Sequence, residues 1–142
     1  MDFEDCVKFA NENPIAYLAT VEGNQPRVRA FQAWFADKTG FYYQTGSVKE
    51  IVNQLKANPK LEVCYFSPKT GGSGTMMRIS GEVEFLNDRD LKAKAIADRP
   101  FLKSFGFTPD HPGLIIFRIA KGQAVFWTMA TNLAPKKPIL FG

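Results

Sequence analysis

Strand-length apolar runs closed off by turn residues recur along the whole chain, and they follow one another as hairpins instead of alternating one for one with helices. Ile15 to Val21 reads as a buried strand, Glu22-Gly23-Asn24-Gln25 as a turn, and Arg27 to Ala36 as a long second strand. Pro26 stands at the start of that strand, where a missing N–H does least harm. Asp37-Lys38-Thr39-Gly40 then turns the chain into Phe41 to Gln44, completing a meander. Leu61 to Phe66 and Met76 to Leu86 are two further strands, with Gly81 marking a bulge or bend in the second. Leu114 to Ala120 and Gln123 to Thr128 close the series around the turn Lys121-Gly122. About seven strands in hairpin order predict a mainly β chain of the α+β kind, an antiparallel barrel with helices packed outside.

The helical period of 3.6 appears in only a few places. Phe3, Cys6, Val7 and Ala10 recur behind Asp2, a suitable N-cap, until Asn13-Pro14 ends the pattern. Val48, Ile51, Val52 and Leu55 line one face before Asn58-Pro59, and Asp88 caps a third helix running to Asp98. Arg99 to Gly113 is broken by prolines and glycines and predicts turns and loop; Pro68 to Gly74 predicts a loop, and the tail through Pro135 and Pro138 predicts irregular chain.

A length of 142 residues with 45% hydrophobic content suits one domain over residues 1–142. No run approaches the ~18 apolar residues of a membrane span. Asp2, Glu4 and Asp5 stand where a signal peptide would be basic, so a cytoplasmic protein is expected, with no membrane partner. Cys6 and Cys64, far apart within apolar stretches, read as small buried side chains kept reduced. The net charge of +4 fits an anionic ligand or nucleic acid, but Lys and Arg are spread along the chain and do not form a binding tail.

The stretch from Arg27 to Lys49 carries the chemistry. Arg27 and Arg29 fall on one face of the second strand among apolar neighbours. Thr45, Gly46 and Ser47 then lead into a helix whose first turn includes Lys49. Free N–H groups, the positive end of the helix dipole, hydroxyls and an ammonium meet at one helix start, which suits a phosphate dianion. A plainer reading stands beside it, in which Thr45 or Ser47 merely caps the helix, Lys49 is solvated, and both arginines lie on a strand edge. A lysine in a first helical turn opposes the dipole unless an anion is near.

Other features are quieter. Gly71-Gly72-Ser73-Gly74 lacks the Gly-Lys-Ser/Thr continuation of a nucleotide phosphate loop. His111 is the only histidine, so no metal site is expected, and no G-x-S-x-G nucleophile signature appears. Phe101, Phe105 and Phe107 either wall a pocket or pack their segment down, with packing preferred. Phe41-Tyr42-Tyr43 beside basic residues suggests base stacking, yet no RNP pattern accompanies it.

Several runs, in order, resemble the pyridoxamine 5′-phosphate oxidase-like family of FMN-binding split barrels. These are Tyr17-Leu18-Ala19-Thr20, Gly23, Pro26-Arg27-Val28-Arg29, Phe41 through Lys49, Leu55-Lys56-Ala57-Asn58-Pro59, and Arg78-Ile79-Ser80-Gly81-Glu82. The resemblance implies a split β-barrel of roughly six to seven strands with flanking helices. It implies FMN as cofactor, with Arg29 and Lys49 on the phosphate, Thr45 and Ser47 as hydroxyl donors and Arg27 as a helper. The backbone of Ala30, Phe31 and Gln32 would run beside the flavin ring, with Gln44 near the ring or ribityl chain. The family's flavin lies between two subunits, so a homodimer is implied, with Trp127 or the strand from Met76 to Arg78 reaching across. The vitamin B6 oxidases carry a longer phosphate motif and a C-terminal segment with Trp and Arg; here the chain runs Leu133-Ala134-Pro135-Lys136-Lys137-Pro138, so pyridoxamine phosphate is not carried over as substrate. The expected function is an FMN-dependent oxidoreductase acting on a small organic molecule, with no catalytic side chain identified. A flavin-storage or electron-carrying module is the alternative in the same fold, and a small basic barrel binding nucleic acid the alternative from another class.

Overall fold

The computed structural model describes residues 1–69 and 72–142, so part of the loop expected from Pro68 to Gly74 lies outside the described residues. The chain opens with α1 (Phe3–Glu12), capped by reciprocal bonds between Asp2 and Asp5, followed by β1 (Ile15–Glu22) and β2 (Gln25–Gln32). Next come β3 (Phe35–Asp37), β4 (Gly40–Gly46), α2 (Glu50–Ala57), β5 (Lys60–Ser67), β6 (Thr75–Glu82) and β7 (Glu84–Phe85). Then follow α3 (Arg89–Asp98), the single turn α4 (Phe101–Ser104), β8 (Leu114–Ile119), β9 (Gly122–Thr128) and β10 (Ile139–Phe141). All pairings are antiparallel, in a six-stranded sheet ordered β10-β9-β6-β5-β1-β2 and a four-stranded sheet ordered β3-β4-β8-β7. The seven longer strands are those expected from sequence, and β3, β7 and β10 are short additions.

Two of the expected strands each divide between the sheets. The run from Arg27 to Ala36 breaks where Ala33 N–H bonds to Pro14 and Trp34 N–H bonds to Tyr42, so β2 stays in one sheet and β3 enters the other. The run from Met76 to Leu86 breaks at Val83, whose N–H bonds to the Pro59 carbonyl, and β7 pairs with β8. No bulge stands at Gly81, which stays in register opposite Leu61 and Gly122. A Cβ at Gly122 would stand 2.0 Å from the Ser80 carbonyl oxygen, so this crossing needs bare backbone. Two segments expected to be irregular carry short elements, α4 within Arg99 to Gly113 and β10 in the tail.

Leu18, Val63, Met77 and Ile79 of the larger sheet face Phe41, Tyr43, Phe117 and Ile119 of the smaller across one buried core, the interior of a split barrel. The Tyr43 and Tyr65 hydroxyls, both buried there, satisfy each other at 2.7 Å. On the far side of the smaller sheet Tyr42, Leu114 and Ile116 pack under Ala95 and Ile96 of α3 and Leu102 of α4. That packing sets α4 above the end of β4. Strand β2 is a free edge, and Ile15, Tyr17, Val28 and Phe66 are exposed on the outer face of the larger sheet. Both cysteines are free thiols; Cys6 is buried, whereas Cys64, expected inside, is only half-buried on that outer face beside Tyr17 and Arg78. Among the described residues no helix is long and apolar enough to cross a membrane.

Candidate functional site

A cavity of about 880 Å³ opens between the free edge of β2, the start of α2 and the turn α4. Antiparallel geometry decides what the edge offers. Because Ala33 N–H bonds to Pro14, the alternation along β2 turns the backbone groups of Phe31 and Arg29 toward β1 and those of Ala30 and Gln32 outward. Arg99 donates from Nη2 to the Gln32 carbonyl at 2.9 Å and to the Ala33 carbonyl at 2.8 Å. Among the described residues the outward Ala30 N–H and C=O have no partner, a free donor and acceptor on the cavity wall.

Arg29 lies on the inner face of β2. Its Nη1 donates to Thr20 Oγ1 at 2.8 Å and to the Leu18 carbonyl at 3.2 Å, and Nη2 donates to Gln54 Oε1 on α2. Burial holds this guanidinium below its ordinary pKa, Glu50 opposes that shift, and Arg27 adds to it. Lys49 lines the same cavity but is the N-cap of α2 and not, as expected, part of its first turn. The reason is a tight turn in which Lys49 N–H bonds back to the Gly46 carbonyl at 3.0 Å, so the helix starts at Glu50 and Val48 stands 92% exposed, off the buried face. No side chain caps this helix, which removes the reading of Thr45 or Ser47 as a plain cap. Val52 N–H bonds to the Lys49 carbonyl at 3.1 Å, and the N–H groups of Glu50 and Ile51 have no acceptor among the described residues.

Arg29, Ala30, Phe31, Gln32, Gln44, Thr45 and Lys49, all anticipated from sequence, meet in this one cavity. Three anticipated residues do not. Arg27, though on the same strand face, donates from Nε and Nη2 to Glu22 across the hairpin at 3.1 and 2.9 Å. Ser47 is exposed outside the cavity and binds the Gly113 carbonyl through its N–H at 2.8 Å. Trp127 stands in the larger sheet opposite Met76 and donates to Asn132 at 2.8 Å.

Further residues line the cavity, among them Phe101, Phe105 and Phe107, for which a pocket wall is the less favoured of two readings from sequence, and Arg99, which is not anticipated. Phe101 and Phe105, expected to pack, are 49% and 70% exposed and meet edge to face at 6.2 Å on the cavity rim. Of that trio only Phe107 packs inward, its ring 5.0 Å from His111. Arg99 had no sequence signal, since only the fold carries residue 99 to the end of β2; burial lowers its pKa against the raising charge of Asp98. His111 Nδ1 accepts from Gly113 N–H, and the described residues hold no cluster of three or more metal-ligating side chains. The site thus joins a cationic end, a hydrogen-bonding strand edge and an apolar aromatic rim, an arrangement suited to a flat polar molecule carrying an anionic group.

Fold and cavity together define a split-barrel protein with an open pocket at the free edge of its larger sheet. The sequence pattern of pyridoxamine 5′-phosphate oxidase matches residues 3–126, and the chain belongs to that family. No curated protein matches the chain in sequence. Among solved structures, a NimC/NimA family protein from Clostridium acetobutylicum is 28% identical, with a TM-score of 0.81 over 97% of this chain and 92% of that one. A pyridoxamine 5′-phosphate oxidase-related, FMN-binding protein from Nostoc punctiforme is 14% identical, with a TM-score of 0.65 over 92% and 87%. An FAD-binding protein from Mesorhizobium loti is 19% identical, with a TM-score of 0.69 over 89% and 94%. At those last two identities the likeness is one of fold.

Proposed function

We propose that this protein is an FMN-binding flavoprotein that works as an oxidoreductase on a small organic molecule. One observation carries the reading: Arg29 and Lys49, the uncapped start of α2 and the free backbone of Ala30 open into a single cavity with apolar walls. Arg29, Lys49 and the first N–H groups of α2 hold the phosphate, and the Ala30 backbone pairs with the polar edge of the ring. Gln44 and Thr45 line the space between, and Phe101 and Phe105 shield the cavity mouth from water. The flavin, when bound, supplies the hydride or electron transfer; the chain supplies binding, orientation and exclusion of water. FMN-binding and FAD-binding proteins of the same fold support a flavin, and the single cationic end favours the monophosphate.

The working unit in this proposal is a homodimer. Ala30, Tyr17, Cys64, Arg78 and Val125 form one cross-strand row on the outer face of the larger sheet, and Phe66, Met76 and Trp127 form another. A second copy seated on these rows would cover their apolar groups and bring Trp127 toward the partner's site. The free thiols agree with a cytoplasmic setting. Nucleic acid is disfavoured because Arg27, Arg78, Arg89, Lys94 and Arg118 are ion-paired and form no free basic stripe.

The test is reconstitution of the purified chain with FMN. A visible flavin band that stays with the protein through gel filtration, one flavin per chain, is the expected result. A colourless protein that binds oligonucleotides with steep salt dependence would replace this reading with the nucleic-acid one.

A further inference from the structure

Arg29, Thr20 and Gln54 close a ring of hydrogen bonds with no second charge in it. Arg29 Nη1 donates to Thr20 Oγ1, the Thr20 hydroxyl donates to Gln54 Oε1 at 2.6 Å, and Gln54 Oε1 also accepts from Arg29 Nη2. Thr20 and Gln54 are 2% and 3% exposed, so the ring is a buried fixture beneath the strand. It occupies the terminal nitrogens of the guanidinium. The Nε–H and the second hydrogen of Nη2, which form its side fork, have no acceptor among the described residues, and Arg29 lines the cavity.

The amide itself is the informative part. Gln54 Nε2 is buried with no partner among the described residues, a costly omission for a side chain kept only for packing. On stability alone a glutamate would hold an arginine more strongly, through a charge-assisted bond. An amide fixes the same guanidinium without an ion pair inside the ring, leaving Glu50, on the cavity wall, as the acidic charge that acts on it.

We propose that Thr20 and Gln54 are positioning residues that aim the side fork of Arg29 into the cavity without neutralising it, and so set the preference of this site for a phosphorylated over an unphosphorylated flavin. The inference rests on the phosphate reading of the cavity. It assigns the selectivity to a neutral buried ring behind Arg29 as well as to the cations that touch the ligand.

The experiment measures FMN and riboflavin affinity for the full chain, its Arg29→Ala, Gln54→Glu, Thr20→Val and Thr20→Ser variants, with urea unfolding of each. Gln54→Glu is expected to unfold no earlier than the parent, to lose about tenfold or more in FMN affinity, and to change riboflavin affinity by less than about twofold. A folded Gln54→Glu protein that keeps the parent's FMN preference overturns the inference. Should Gln54→Glu fail to fold, the threonine pair decides: Thr20→Val is expected to lose part of the preference and Thr20→Ser to keep it, and equal preference in both overturns the inference. A parent that binds both flavins equally, or an Arg29→Ala variant that weakens both alike, instead refutes the phosphate reading and the inference with it.

Discussion

Two arginines two residues apart on one strand have opposite fates, and the difference lies in what each meets. Arg27 spends its charge on Glu22, whereas Arg29 is held by neutral groups. Arg27→Ala is therefore expected to leave FMN affinity within about twofold and to shift stability by less than about 1 kcal/mol, read by titration and urea unfolding. Lys49→Ala removes an ammonium from the cationic end of the cavity and, on the proposed function, is expected to cost about 1.5–3 kcal/mol of FMN binding, with riboflavin binding nearly unchanged, by calorimetry. Strand alternation made the shared face of Arg27 and Arg29 legible from sequence. The Glu22 pair was within reach too, because the Gly23-Asn24 turn brings the strand ends together, but charge pairing across a hairpin depends on register. A pH effect belongs to the same scale. Burial, with Asp5 and Asp2 adding, pushes the Cys6 thiol up to about 11 from 9.0. The unfolded chain loses that proton first, so this contribution is flat below pH 9 and reduces stability as pH rises from 9 toward 11. The buried phenols of Tyr43 and Tyr65, raised chiefly by burial, act in the same direction at higher pH. Urea midpoints across this range are expected to fall, and less steeply in Cys6→Ala.

At the scale of elements, the pattern of short strands and few helices was legible because each strand carries its own alternation and its own turn residues. What was not legible is where a strand changes sheet. Ala33 and Val83 look like ordinary strand residues and still bond in register to Pro14 and Pro59; the change of sheet comes one residue later, where Trp34 bonds to Tyr42 and Glu84 pairs with Arg118. The start of α2 was displaced for a comparable reason, a local turn from Gly46 to Lys49 that the apolar period of Val48 does not reveal. The turn α4 was missed because one helical turn has no period to detect. The close pairing of β6 and β9 at Gly81 and Gly122 yields a sharp expectation. Gly122→Ala forces a methyl against the Ser80 carbonyl and should cost about 1–3 kcal/mol, measured as a lower urea midpoint at unchanged slope.

The whole molecule places its cavity at an edge and leaves apolar side chains exposed on the neighbouring sheet face, two features that a second copy would resolve together. Val28, 71% exposed beside the free edge, probes this. Val28→Lys is expected to fold as the parent does, to shift sedimentation from dimer to monomer, and to weaken FMN along with the loss of the partner. A monomeric parent that retains FMN would contradict the shared-site arrangement. The cavity itself was legible only in part. Its cationic end announced itself through residue types and spacing, while its rim depends on α3 and α4 folding back over β4, which brings Arg99, Phe101 and Phe105 to a strand some 70 residues earlier in the chain.

The most direct measurement is a side-by-side titration of the unmodified protein with FMN and riboflavin at two salt concentrations. FMN should bind at one per chain, at least about tenfold tighter than riboflavin, with the advantage shrinking as salt rises. Equal affinity for the two flavins, or no binding of either, would contradict the assignment of Arg29, Lys49 and the start of α2 to a phosphate.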